Sequence, residues 1–114
     1  MGFFARLFDF DPTEGARLCG ATRSGKWPAV MRAHLKVQPR CAACGCGEGN
    51  QVHHIRPFHV VPDSELDPTN LITLCPRCHL FVGHLGTWAS WNAEVVADAA
   101  VWLRKIHVRP RGEE

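Results

Sequence analysis

The sequence predicts a single small α+β domain, and three observations lead there. Two short segments carry strand-type residues, Gln51–Ile55 and Leu71–Leu74. Two longer segments repeat apolar residues at helical spacing, one before the strands and one after them. Two Cys-x-x-Cys pairs, Cys41/Cys44 and Cys75/Cys78, bracket the strand region. A chain of 114 residues allows one domain. It buries a modest share of its surface, so an internal staple would add useful stability.

The elements follow in order. The Phe-rich start, Met1 to Asp9, reads as a short helix packing on the core, and residues 9 to 25 read mostly as loop. A helix is expected over Lys26–Val37, with Pro28 tolerated in its first turn. Trp27, Val30, Met31 and Leu35 share its inner face, and Arg32 and Lys36 lie together on another. Pro39 ends it and delivers the chain to Cys41. The Gly-rich run Cys44–Asn50 makes a tight knuckle before the first strand, Gln51–Ile55. Pro57–Pro68 holds three prolines and three acids and reads as a loop, and Leu71–Leu74 forms the second strand. Pro76 opens a helix that Gly83 is placed to end. Asn92 caps a last helix over 93–107, with Val95, Val96, Ala99, Trp102, Leu103 and Ile106 as its apolar stripe. The division expected is 1–24 as an N-terminal segment, 25–92 as the central unit and 93–114 as a helix with a basic tail.

Composition is ordinary for a globular protein, with 46% hydrophobic and 21% charged residues. The net charge of +2 hides an asymmetry. Arg17–Arg40 carries six Lys/Arg and no acid, Arg104–Arg111 carries four and no acid, and Cys41–Leu103 carries two Arg against six acids. A basic frame around an acidic middle fits nucleic-acid contact as readily as a solvated charged face. Arg6 and Asp9 break the apolar start, so no signal-peptide core is expected. No stretch approaches the roughly 18 apolar residues of a membrane span. A cytoplasmic, reducing setting is therefore expected, and paired Cys-x-x-Cys then reads as metal binding.

Thiolates two residues apart converge on one metal, and tetrahedral zinc takes four such ligands with no open position. Cys41, Cys44, Cys75 and Cys78 are expected to hold a structural zinc. Cys46, close to Cys44, is an alternative ligand of poorer spacing, and Cys19 reads as a small buried apolar residue. The gap between the pairs encloses His53, His54 and Asn70, and His79 follows Cys78 directly. Phosphodiester hydrolysis at neutral pH needs a base for water and a cation for the leaving oxygen. Neutral imidazole serves both ends. Adjacent strand residues face opposite ways, which suits a division of roles between His53 and His54.

The order Cys-x-x-Cys, His-His-Ile, Asn-Leu-Ile-x-Leu-Cys-x-x-Cys-His resembles the HNH nuclease family, the zinc-stapled ββα-metal endonucleases of bacteria and phages. The resemblance spans roughly Trp27 to Asn92 and implies a ββα-metal core flanked by an N-terminal and a C-terminal helix. It implies a metal-dependent DNA endonuclease leaving 5′-phosphate and 3′-hydroxyl ends. On the same ground His54 is the general base and Asn70 the central Asn that orients it. His79 and His53 are then ligands of a catalytic divalent cation, Mg²⁺ or another. The step from Asn70 to His79 is similar to that of colicin-type nucleases, which carry a further His where this chain has Gly83. His84 stands one position late, which leaves open whether it adds a third protein ligand. The stretch His84–Asn92 resembles one found in small stand-alone HNH proteins, and Trp88 and Trp91 read as core. His59 is a candidate phosphate contact. DNA is the expected partner, reached through Arg32 and Lys36, with Arg104, Lys105 and Arg109 as further contacts. The competing reading, a non-catalytic zinc module binding nucleic acid or a protein, explains the cysteines and flanks equally. It leaves the order of His53, His54, Asn70 and His79 without a reason. A metalloprotease lacks the His-Glu-x-x-His helix it would need.

Overall fold

Lys26 stands ahead of the first helix, α1, which runs Trp27–Val37 with Pro28 in its opening turn, where a missing N–H costs nothing. The computed structural model describes residues 23–108. The Phe-rich start, Cys19 and Arg109 lie outside these residues. Trp27, Val30, Met31, His34 and Leu35 turn inward and are half-buried, whereas Arg32 and Lys36 are exposed. Gln38 closes the helix by donating its N–H to His34 O. It then grips the sheet, where Thr73 N–H donates to Gln38 Oε1 at 2.8 Å and Thr73 Oγ1 to Gln38 O at 2.6 Å.

Strand β1, Gln51–His54, pairs antiparallel with β2, Leu71–Leu74. The register sets His53 opposite Ile72 and His54 opposite Leu71. Every residue of β2 is buried, so this strand forms the floor of the domain. Between the strands the loop contains two 3₁₀ turns, Pro62–Ser64 and Pro68–Asn70, the second leading into β2. Asp67 caps the latter by accepting from Thr69 N–H and Oγ1.

After β2, Cys75 starts a helix α2, Pro76–Cys78, that widens at once into a π-helical turn over His79–Gly83. Gly83 ends it as expected, although the π geometry was not. The last helix, α3, runs Val95–Val108, two residues later at its start than the sequence suggests. Asn92 still governs that start. Its Oδ1 accepts from Glu94 N–H, while Nδ2 donates to Val82 O and Asp98 Oδ2 and so ties α3 to the π turn.

The core gathers around the cysteines. Leu74, Ile72, Val95 and Ala99 pack with Cys41, Ala43 and Cys75. Helix α3 contributes a narrow strip at i, i+4, i+8 and i+11, with Val95 and Ala99 buried and Leu103 and Ile106 half-buried. Val96 and Trp102 fall outside that strip at 52% and 53% exposure, which corrects the wider stripe read from sequence. Among the described residues no helix is long and apolar enough to cross a membrane.

Candidate metal centres and catalytic cleft

Two groups of metal-ligating side chains are built into this frame. The first is the cysteine quartet, whose four sulfurs lie within 4.8 Å of one another. Each pair is a knuckle in which the second cysteine's N–H points back at the first sulfur, Cys44 to Cys41 and Cys78 to Cys75, each at 3.5 Å. Burial alone would push the Cys41 thiol up, but N–H groups of Cys75, Cys44 and Ala43 outweigh it and hold the group at about 7. Thiolate, the form that binds a metal, is thus favoured at Cys41, whereas burial pushes the Cys44 and Cys78 thiols up. Cys46 is exposed and its thiol faces Glu48 O at 3.6 Å, so it stands outside the quartet.

The second group is His53, His79 and His84, one ligand nitrogen of each lying within 4.8 Å of the others. His53 and His79 meet as the sequence suggests. His84 joins them, which the spacing did not suggest. The π turn is the cause: His84 N–H donates to His79 O at 3.1 Å, a bond across five residues. One extra residue in the turn carries position 84 to the face that position 83 would occupy in an α-helix. Position 83 is then tight for a side chain, since a Cβ there would meet the His53 ring and Leu74 Cδ1 at 3.2 Å and they would have to give way.

Hydrogen bonds decide which ring nitrogens remain available. His79 Nδ1–H donates to Gln51 Oε1 at 2.8 Å, and His84 Nδ1–H donates to Ser90 O at 2.7 Å. Both rings therefore keep Nε2 as a lone pair, the arrangement in which an outer partner fixes the tautomer of a ligating imidazole. His53 is 3% exposed and its Nε2 is buried with no hydrogen-bond partner. A buried polar atom without a partner is costly, and a cation held by three imidazoles would satisfy it. The donor set fits a divalent metal. Burial and the neighbouring imidazoles push His53 down to about 2 and His79 down to about 4, and burial also lowers His84. All three are thus neutral at physiological pH. Trp88 packs on this cluster, with ring centroids 5.0 Å from His79 and 4.9 Å from His84.

His54 points to the other face of β1, as strand geometry requires. Its ring lies 4.5 Å from that of Trp27, and its Nε2 is 2.9 Å from Glu65 O. A carbonyl only accepts, so Nε2 carries the proton and Nδ1 keeps the lone pair. Burial lowers the His54 pKa. Asn70 makes no hydrogen bond to His54 through its side chain. It accepts from Arg56 N–H at 2.9 Å and donates to Arg56 O and Ser64 O, fastening the loop that carries Glu65.

His53, His54, His79 and His84 open on one cleft of about 400 Å³. His59, Trp88 and Trp91 also line it. Both tryptophans are half-buried, Trp88 against the imidazoles, so they wall the cleft as well as filling space. Arg23 is the cation on its rim, and the sequence reading passed over it as one more charge in a basic flank. Arg32 and Lys36 lie on the exposed side of α1, outside the cleft lining.

Comparison with known proteins adds one finding. The family model for HNH endonucleases matches residues 41–84, the stretch from the first cysteine to His84. No curated protein and no solved structure matches the chain.

Proposed function

We propose that this chain, whose residues 41–84 match the family model for HNH endonucleases, hydrolyses DNA phosphodiester bonds with a divalent cation. The observation that supports this best is the pairing of two unlike histidine environments in one cleft. His54 offers a lone pair on a ring held by a carbonyl, and His53, His79 and His84 converge around a buried ring nitrogen, His53 Nε2, that lacks a partner. In this reading His54 Nδ1 takes the proton of the attacking water. Its neutral state at working pH follows from its burial. Asn70 holds the loop against which His54 is set. His53, His79 and His84 hold the cation, Mg²⁺ or another divalent ion. When bound, that ion stabilises the charge that develops on the phosphate and the leaving 3′-oxygen.

The four cysteines hold a zinc that staples the domain, and no open position remains for chemistry there. Residues 25–92 form the nuclease unit, with 1–24 and 93–114 as its flanks. DNA is gripped mainly through phosphates, by Arg32 and Lys36 and the basic residues of α3. Retained, reduced thiols suit a cytoplasmic setting.

Plasmid nicking by the purified chain with Mg²⁺, Mn²⁺ or Ni²⁺ tests the reading. His54→Ala should abolish cleavage while metal and DNA binding persist. A chain that binds DNA and zinc but never cuts with any of these ions would be the non-catalytic zinc module instead.

A further inference from the structure

Glu65 is the residue through which His54 is tied to the chain ahead of the matched domain. It is only 4% exposed, yet it sits in a loop, where a buried carboxylate is costly unless every oxygen is engaged. Both are engaged. Oε2 accepts from Arg23 Nε at 2.7 Å and Oε1 from Ser24 N–H at 3.0 Å. The carbonyl of the same residue accepts from His54 Nε2 at 2.9 Å. Arg23 reaches further still. Its guanidinium lies 4.6 Å from the Phe58 ring centroid and 5.8 Å from that of Trp27. Trp27 in turn covers the face of His54 at 4.5 Å.

The imidazole is therefore confined twice, at its Nε2 edge by a carbonyl and over its face by an indole. Arg23 touches the residue behind each restraint. We infer that Arg23 and Glu65 are positioning residues for His54, a clamp that fixes its tautomer and ring orientation and is anchored at Arg23, ahead of residues 41–84. The catalytic meaning of the clamp rests on the nuclease reading above. The clamp itself does not, because its effect on the ring is measurable without turnover.

The test compares the zinc-loaded full chain with Glu65→Ala, Glu65→Gln and Arg23→Ala by ¹⁵N–¹H spectra of the histidine rings. His54 should be held as the Nε2–H tautomer in the wild type and become a mixture in both alanine variants. Glu65→Gln keeps one acceptor oxygen, enough for Arg23 Nε–H or Ser24 N–H but not both, and should restore the single tautomer in part. In the nicking assay kcat should fall roughly 10- to 100-fold in the alanine variants, the scale of a misplaced catalytic group. KM and Ni²⁺ uptake at the three imidazoles should stay close to wild type. If Glu65→Ala does not fold, Arg23→Ala carries the test from the partly exposed end of the pair. An unchanged His54 tautomer in a folded Arg23→Ala protein overturns the clamp, whatever its rate. A wild-type chain that never cuts DNA would instead remove the nuclease reading, and the ring spectra would still decide the clamp.

Discussion

His84 N–H donates to the carbonyl of His79 at 3.1 Å, and the two rings lie 4.9 Å apart. A five-residue step in an α-helix would turn these side chains well away from each other, since neighbouring faces recur at three and four residues. The π turn removes that mismatch. Gly83 lets it happen by presenting no side chain to His53 and Leu74. The third imidazole is thus a product of backbone geometry, with the glycine and the histidine acting as a pair.

His84→Ala should weaken the imidazole metal site by at least the roughly 10- to 100-fold that loss of an outer partner costs. Gly83→Ala should do the same by displacing His53, with a stability loss of about 1–3 kcal/mol from overpacking. Calorimetric Ni²⁺ titration of zinc-loaded protein reads both. Wild-type affinity in His84→Ala would leave only His53 and His79 as ligands.

A pH dependence follows from the depressed imidazoles. His79 lies at about 4 in the folded chain because of burial and the nearby His84, against its ordinary 6.5. Between those values the unfolded chain binds a proton that the folded chain does not. Stability is therefore full above about 6.5 and declines as the pH falls toward 4. His79→Gln removes that contribution, so wild type with zinc only on its cysteines and no cation at the imidazoles should lose Tm faster than the variant on acidification from pH 7 to 5. Parallel curves would show that His79 is not buried as a neutral ring.

Much of this site was legible in the sequence because its signals are local. Knuckle spacing brought out the quartet, alternation on β1 separated His53 from His54, and Pro28, Pro39, Pro76 and Gly83 marked helix ends. What escaped depends on contacts that sequence spacing does not encode. His84 looked misplaced because α-helical periodicity was assumed where the backbone adopts a π turn. Val96 and Trp102 matched a helical stripe, but α3 meets so little partner surface that only the Val95/Ala99 strip is buried. Arg23 is 42 residues from Glu65, and no pattern in the chain links the two.

Removing the zinc proposed at the quartet should unfold the domain, since the quartet is part of the core instead of an appendage. Cys41, Cys75, Leu74, Val95 and Ala99 pack as one cluster, and metal binding energy in such a domain is folding energy. Any one of Cys41→Ser, Cys44→Ser, Cys75→Ser or Cys78→Ser should lower Tm sharply or leave insoluble protein. Cys46→Ser, at an exposed thiol outside the quartet, should keep one zinc per chain by metal analysis. Zinc loss in Cys46→Ser would mean that the ligand set is wrong.

DNA contact by α1 is open to a measurement that separates it from the cleft. Arg32 and Lys36 are exposed and lie away from the cleft lining, while the inward face of the same helix is engaged with the sheet. Replacing both with alanine should therefore leave fold and metal sites intact. If each contacts one phosphate, the double variant should bind all DNA sequences more weakly. The slope of log affinity against log salt should then become shallower by about two counterions. Arg23→Ala offers the contrast, because its guanidinium is already bound to Glu65 and stacked on Phe58. A residue so occupied should alter turnover more than salt dependence. An unchanged slope in the Arg32→Ala, Lys36→Ala protein would assign those charges to solvation alone and move the DNA grip to the cleft rim and α3.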